Sequence, residues 1–309
     1  MKTKFDIVII GGGPAGISAG IYASRAGRKV LIVEKFALGG QLNLIGQIEN
    51  YAGFSSIDGF SLAGHFAEHA KLAGCQTESD EIVSIEKTAF GFSLTGTNGV
   101  YKAKAVILAQ GCHPRLLKIE GEEQFKGRGV SYCALCDGNF FKGKAVAVVG
   151  SGDSAFSDAI YLASICKRVY LLTKEVLKLH NYSEDELSDK KNVTILKGAL
   201  SKRILGQDKV EGLEYQMAGK TNKLAVDGVF VAIGRIPDTE MLKGLLELDP
   251  SGYVLADVNM QTSLEGIFVC GDVRKGSLRQ IATAVGDGAI AGTNASKYVL
   301  KSSAKRKIK

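Results

Sequence analysis

The sequence predicts an α/β fold with two Rossmann-like dinucleotide-binding units in tandem, and three observations predict it. A short apolar run, Phe5 to Ile10, ends in Gly11-Gly12-Gly13-Pro14-Ala15-Gly16, and helical spacing follows through Ile17, Ile21 and Ala23. A second run, Lys144 to Val149, ends in Gly150-Ser151-Gly152-Asp153-Ser154-Ala155 and leads into a helix, Ser154 to Ser164. The spacing also repeats: Glu34 stands 23 positions after Gly11, and Thr173 stands 23 positions after Gly150. Continuous apolar runs of this length belong to strands buried in a parallel sheet. With 309 residues the chain exceeds the size at which a single core stops growing.

Composition narrows the functional classes. A hydrophobic content of 45% with 23% charged residues is that of a soluble globular protein. The net charge of +7 is mild, and part of it lies in the tail Lys301 to Lys309, which reads as a solvated end. With no tryptophan and no interleaved basic and aromatic residues, no nucleic-acid partner is expected. The opening MKTKFDIVIIGGG has too short an apolar run for a signal peptide, and no segment reaches transmembrane length, so no membrane role is expected. Six cysteines without a framework of paired spacings suit a reducing cytosol, and the expected location is cytoplasmic.

In chain order, the first unit reads as strand, G-x-G-x-x-G, helix, strand, acid. Gly11 permits the tight turn, Gly13 lets a pyrophosphate approach the backbone, and Gly16 lets helix and strand pack closely. The helix N-terminus then faces the phosphates, and Glu34, after the strand Lys29 to Val33, can accept from a ribose hydroxyl. Leu38-Gly39-Gly40-Gln41 and Glu49-Asn50-Tyr51 follow without strong periodicity. The helix Gly59 to Leu72 holds His65-Phe66-Ala67-Glu68-His69, a match to the H-x-x-E-H of some zinc peptidases. The plainer reading is a wet helix face opposite Phe60, Leu62 and Phe66. Only His113 and His180 remain as further histidines, and no metal is expected.

Glu81 to Lys87, Phe90 to Thr95 and Tyr101 to Leu108 read as strands, closed by Ala109-Gln110-Gly111, and Pro114 begins a crossing to the next domain. In the second unit Ala155 replaces the third glycine and still permits close packing. Thr173, after the strand Arg168 to Leu172, stands where an acid would meet a ribose. Val193 to Leu196, Lys209 to Gln216 and Val226 to Ile233 read as strands ending at Gly234-Arg235-Ile236-Pro237, with a second boundary near Met241 to Leu245. Gly266 to Cys270 is a buried strand stopped by Gly271-Asp272, and Leu278 to Leu300 a long final helix beginning with Arg279-Gln280-Ile281. An aspartate at such a strand end suits a polyol or phosphate ligand, although a plain turn aspartate reads the same way.

Between the two units lies SYCALCDGNFF, Ser131 to Phe141. A Cys-x-x-Cys ring opens and closes reversibly, its thiols are acidified at a helix N-terminus or near positive charge, and the thiolate is the reactive species. The adjacent Asp137 can move the proton that dithiol–disulfide exchange requires. The competing reading is half of a zinc site, which needs a second pair or histidine partners. Cys75, Cys112, Cys166 and Cys270 are scattered singly in apolar surroundings, which favours redox chemistry at Cys133 and Cys136.

GGGPAG, GGQ, YCALCDG, GSGDSA, AIGRIP and CGDV followed by RQIATA, in that order and over nearly the whole chain, resemble the low-molecular-weight thioredoxin reductases. These are flavin-dependent pyridine nucleotide disulfide oxidoreductases. The resemblance implies that the second dinucleotide domain is inserted into the first: residues 1–114 and 244–309 for FAD, residues 115–243 for NAD(P)H and the Cys-x-x-Cys. It implies a homodimer that passes electrons from NAD(P)H through FAD and a Cys133–Cys136 disulfide to thioredoxin. Gly11, Gly13, Pro14, Ala15, Gly16, Glu34 and Lys35 would hold the ADP half of FAD, and Gly40, Gln41 and Asn50 would lie along the cofactor. Gly271 and Asp272 would hold its ribitol chain, with Arg279, Gln280 and Ile281 near the isoalloxazine. Gly150, Gly152, Asp153, Ser154, Ala155, Lys174, Gly234 and Arg235 would contact the nicotinamide nucleotide. Cys136 would face the flavin, Cys133 would complete the disulfide, and Asp137 would serve as acid and base. Which of the two cysteines attacks thioredoxin first stays open in the sequence, with the adjacent proton donor favouring Cys136. Because dithiol and nicotinamide site share the inserted domain, a domain rotation between half-reactions is expected.

The chain departs from the family at one place. NADPH-specific members carry His-Arg-Arg-x-x-x-Arg after the second unit's strand, whereas this chain has Thr173-Lys174-Glu175-Val176-Leu177-Lys178-Leu179. Guanidinium forks bind phosphate bidentately and lysine does not. The donor therefore stays open between NADPH, NADH and a non-nicotinamide donor such as reduced ferredoxin, with GSGDSA favouring the nicotinamides. Gln110 stands where many members carry threonine and is given no role. A non-catalytic flavin redox sensor is the alternative from a different class. A peroxide-linked relative would carry a further N-terminal module.

Overall fold

The computed structural model describes residues 4–179 and 182–307, so that His180 and Lys309 of the tail lie outside the described residues. The chain divides into two compact units, Met1–His113 with Ile236–Lys309, and Pro114–Arg235. The first opens with β1 (Lys4–Ile10), α1 (Pro14–Arg25) and β2 (Val30–Glu34), then α2 (Gly59–Leu72) and β3 (Gln76–Ser79). β4 (Ile82–Thr88), β5 (Gly91–Gly96) and β6 (Val100–Leu108) follow. The strand order is β3-β2-β1-β6-β5-β4, parallel from β3 to β6 and antiparallel from β6 to β4. Alternation along β1 divides its apolar residues between two layers: Ile7 and Ile9 join the α1 side, Val8 and Ile10 the opposite core. Each such isoleucine, fully or nearly fully buried, contributes roughly 1.5–3 kcal/mol.

The connecting segment β7 (Cys112–Pro114) leads to the second unit: β8 (Val130–Ser131), α3 (Ala134–Asp137), β9 (Ala145–Val149), α4 (Asp153–Ile165), β10 (Arg168–Thr173), α5 (Asp185–Ser188) and β11 (Val193–Lys197). A meander of β12 (Leu200–Gly206), β13 (Val210–Met217) and β14 (Lys220–Ala225) precedes β15 (Gly228–Val231). The main sheet runs β11-β10-β9-β15-β8, all parallel, and the meander forms an antiparallel sheet of its own. The sequence pattern gives only the middle strand of that meander.

β16 (Arg235–Pro237) pairs with β7, then β17 (Ile267–Val269) joins the first sheet parallel to β6, and α6 (Ile281–Lys307) ends the chain. The return to the first unit falls at Ile236, not at residue 244, because Leu242 and Leu246 are buried in the first unit's core. The final helix starts at Ile281 because Arg279 has φ +59°, outside helical space. It also continues through Lys307, so most of the basic tail is helical. Gly288 and Gly292 let α6 lie close on α1, since a Cβ at either would come within 2.3 Å of an α1 carbonyl oxygen. Among the described residues no helix is long and apolar enough to cross a membrane.

Candidate redox site and nucleotide turns

Cys133 and Cys136 form a disulfide with Cα atoms 5.3 Å apart. β8 ends at Ser131 and α3 starts at Ala134, so Cys133 stands at the N-cap and its Sγ accepts from the Cys136 N–H at 3.2 Å. Cys136 is exposed between the exposed side chains of Leu135 and Phe140, whereas Cys133 is half-buried. Asp137 Oδ2 accepts from the Ser131 hydroxyl at 2.6 Å, and Ser131 Oγ in turn accepts from the Cys133 N–H at 3.1 Å. One hydroxyl thus ties the acid to the dithiol backbone. Burial pushes the Asp137 carboxyl up from its ordinary value against the opposing pull of the Ser131 hydrogen bond. A carboxyl raised in this way keeps its proton to a higher pH than a free one, which suits it to passing a proton to and from the dithiol. The sequence gives Ser131 no role beyond opening this stretch, because a single serine at a strand end has no pattern around it.

The other four cysteines are buried. Burial raises the thiols of Cys75, Cys166 (to about 11) and Cys270, and so suppresses their thiolates.

In the first unit the glycine turn is interlocked. Gly11 has φ +104°, and a Cβ there would lie 2.3 Å from Ala109 O; a Cβ at Gly16 would lie 1.9 Å from Gly11 O. A Cβ at Gly13 would meet nothing within 4 Å, so the turn is tight behind and open in front. Pro14 starts α1, where its missing N–H costs nothing. Glu34 accepts from the Gly12 N–H at 2.7 Å and from the Phe36 N–H at 3.0 Å, which fixes its carboxylate beside the turn. Gly40 lies against Gly13, with 3.2 Å from its Cβ position to Gly13 Cα, and Gly271 against Ala15. Asp272 follows Gly271, half-buried. Gln41 donates to Cys112 O at 2.8 Å, and Asn50 donates to Gln280 Oε1 at 3.1 Å. Arg279 and Ile281 flank Gln280, the Arg279 guanidinium lying 4.8 Å over the Tyr253 ring. Lys35 is drawn away to Asp238 at 3.3 Å and Glu81 at 3.8 Å.

Two features of this cradle are absent from the sequence reading. Both side-chain amide atoms of Gln110, which follows the Ala109 carbonyl that Gly11 approaches, are shielded from solvent and have no partner among the described residues. Arg274 donates from Nε and Nη2 to the two oxygens of buried Asp287 at 3.0 and 3.3 Å, and the same carboxylate takes the Gly271 N–H at 3.2 Å. This pair braces the turn that presents Asp272. An open front at Gly13, a fixed carboxylate and an orphaned amide fit an FAD.

The second unit repeats the arrangement. A Cβ at Gly150 would lie 2.3 Å from Ala232 O, as at Gly11, and 2.7 Å from Ala155 Cβ. The nearest atom to a Cβ at Gly152, which precedes Asp153 and Ser154 at the start of α4, is Lys178 O at 4.0 Å. The segment after β10 doubles back on this turn: the Lys178 N–H donates to Ser151 O at 2.7 Å. Thr173 is fully buried and its hydroxyl donates to Glu175 O at 2.8 Å. Lys178 pairs with Glu175 at 2.9 Å, and Lys174 is exposed. Gly234, with φ +99°, and Arg235 follow β15.

On α2, His65, Glu68 and His69 are all exposed, and His65 stacks on Phe54 at 5.8 Å between ring centres. Phe60, expected on the apolar face, is 75% exposed, because it sits in the first turn away from Leu62 and Ala63.

The family model described as pyridine nucleotide-disulphide oxidoreductase matches residues 5–288. A thioredoxin reductase of Treponema pallidum is 39% identical over 303 residues, covering 97% of this chain and 98% of that protein. One from Listeria monocytogenes is 40% identical over 299 residues, covering 96% and 94%. The crystal structure of a thioredoxin reductase from Streptococcus pyogenes superposes with a TM-score of 0.91 at 38% identity, covering 97% of this chain and 100% of that one. With a glycine turn in each unit and a cysteine pair beside the second, the chain belongs to the pyridine nucleotide-disulphide oxidoreductase family, among its thioredoxin reductases.

Proposed function

We propose that the chain is an FAD-dependent thioredoxin-disulfide reductase that passes electrons from a nicotinamide nucleotide through the Cys133–Cys136 pair to the disulfide of thioredoxin. The observation that carries this reading is the Cys133–Cys136 disulfide, exposed at Cys136, with Asp137 tied to it through Ser131. FAD, held at the glycine turn of the first unit, supplies the two-electron relay between nucleotide and disulfide. The intact turn at Gly150 to Ala155 supports a nicotinamide nucleotide over other donors.

In the step on thioredoxin, Asp137 takes the proton of the Cys136 thiol, and the thiolate attacks one sulfur of the partner disulfide. That S–S bond breaks, a mixed disulfide forms, and the departing thiolate receives the proton from Asp137. Cys133 then gives up its thiol proton and attacks Cys136 Sγ; the mixed S–S bond breaks, the second thioredoxin sulfur leaves and takes that proton, and the chain's own disulfide is restored as thioredoxin departs as a dithiol. Exposure of Cys136 and half-burial of Cys133 support this order. A homodimer and a cytoplasmic location belong to the same reading. The likeness to thioredoxin reductases supports the first; the burial of Cys75, Cys166 and Cys270, with their thiols raised, beside a reducible pair supports the second.

The test is anaerobic mixing of the FAD-loaded protein with NADPH and, separately, NADH, followed at the flavin band and by the thiols formed. Bleaching followed by two new thiols on Cys133 and Cys136 is the expected result. Bleaching that never yields those thiols, or none with either nucleotide, would overturn it.

A further inference from the structure

In a βαβ dinucleotide unit the ribose of the adenosine half lies at the end of the second strand, and the side chains there decide between a 2′-hydroxyl and a 2′-phosphate. In the second unit that strand is β10. Its last residue, Thr173, is fully buried and its hydroxyl is committed to Glu175 O, so Thr173 presents nothing to a ribose. The next residues cannot drift away from the site, because Lys178 is hydrogen-bonded through its backbone to Ser151 and bridged to Gly152, inside the glycine turn itself. Glu175 is therefore the acid that borders the turn.

The cations nearby do not form a phosphate clamp. Lys178 is engaged by Glu175 at 2.9 Å. The hydrogen bond and charge of Lys178, with the charge of Lys174 behind them, hold the Glu175 carboxyl below its ordinary value, so the acid stays ionised. Arg168 belongs to the opposite end of β10, about 16 Å away at a strand's rise per residue, where its guanidinium reaches Lys191 O and lies over the Tyr170 ring. Arg115 borders Gly234 after β15, on the far side of β9 from β10 and about 10 Å off in sheet spacing.

We propose that the reductant site of this chain takes a nicotinamide dinucleotide without a 2′-phosphate, NADH, with Glu175 accepting from the ribose 2′-hydroxyl and repelling a 2′-phosphate. This rests on the reading of the second unit as a nicotinamide site. A 2′-phosphate would bring two negative charges against an ionised carboxylate, with neither the Arg168 nor the Arg115 guanidinium placed to receive it bidentately.

The test is isothermal titration of the oxidised, FAD-loaded protein with NAD⁺ and with NADP⁺, which reads binding without turnover. NAD⁺ binding at least about tenfold tighter is expected, the ratio that one charge-assisted hydrogen bond sustains. Glu175→Arg should invert the order by weakening NAD⁺ and tightening NADP⁺. NADP⁺ binding to the unaltered protein as tightly as NAD⁺, or more so, would overturn the proposal while leaving the nicotinamide reading intact. Failure of both nucleotides to bind would overturn that reading as well.

Discussion

Ser131→Ala isolates the proton chemistry at the dithiol. The hydroxyl has a single proton, and of its two acceptors, Asp137 Oδ2 at 2.6 Å and Cys133 O at 3.3 Å, the nearer and charged one wins. Its removal leaves the half-buried carboxyl without that partner, so desolvation acts unopposed by it and the ionised form becomes harder to reach. A hydrogen bond to a charged group contributes roughly 1.5–3 kcal/mol. Each 1.4 kcal/mol lowers the ionised fraction about tenfold on the acid side of the titration. The variant should therefore exchange disulfides with thioredoxin about tenfold or more slowly at acidic pH and recover as pH rises. The assay is single-turnover mixing of pre-reduced enzyme with oxidised thioredoxin across a pH series. Ser131→Thr, which keeps the hydroxyl, should restore the profile. An acid limb that stays in place in Ser131→Ala, or moves to lower pH, would refute the reasoning.

Three further outcomes follow from the geometry. Gly16→Ala would place a Cβ 1.9 Å from Gly11 O, forcing backbone to move at a cost of roughly 1–3 kcal/mol; the purified variant should retain less FAD, and full retention would count against the cradle. Arg274→Ala leaves the Asp287 carboxylate buried without its cation, which costs roughly 3–5 kcal/mol and would appear in urea unfolding; an unchanged midpoint would show that the pair braces nothing. Burial raises Asp158 to about 6 from an ordinary 3.8, so its contribution to stability is fully present below the lower value and lost as pH rises through the higher one. Asp158→Asn should accordingly gain up to about 3 kcal/mol above the higher value and nothing at acidic pH; a uniform gain at all pH values would refute that cause.

The parts of this molecule that were legible in its sequence are those in which backbone sterics dictate residue type. Gly11, Gly16 and Gly150 stand where a Cβ would strike a carbonyl oxygen, so the turns announce themselves. The apolar strands β1, β2 and β9 are buried nearly throughout, and their runs are continuous for that reason. β12 and β14 were not legible, since KTNKLA in β14 buries no residue and only two positions of β12 are buried. The boundary at Ile236 was hidden for a related reason: Gly234 and Pro237 signal a turn, while membership of the first core is decided by Leu242 and Leu246 further on. At the site, Cys133, Cys136 and Asp137 carried a spacing that chemistry requires. Ser131 and the Arg274–Asp287 pair act through distances of about 3 Å that folding alone creates. Gln110 was visible as a residue, but its unpaired amide exists only in three dimensions.

The most direct test of the central claim is to trap the exchange intermediate. Cys133→Ser, reduced and mixed with oxidised thioredoxin, should accumulate a one-to-one mixed disulfide that peptide mass spectrometry assigns to Cys136, and Cys136→Ser should give none there. An adduct on Cys75, Cys112, Cys166 or Cys270, or thioredoxin reduction that continues without Cys136, would contradict the account.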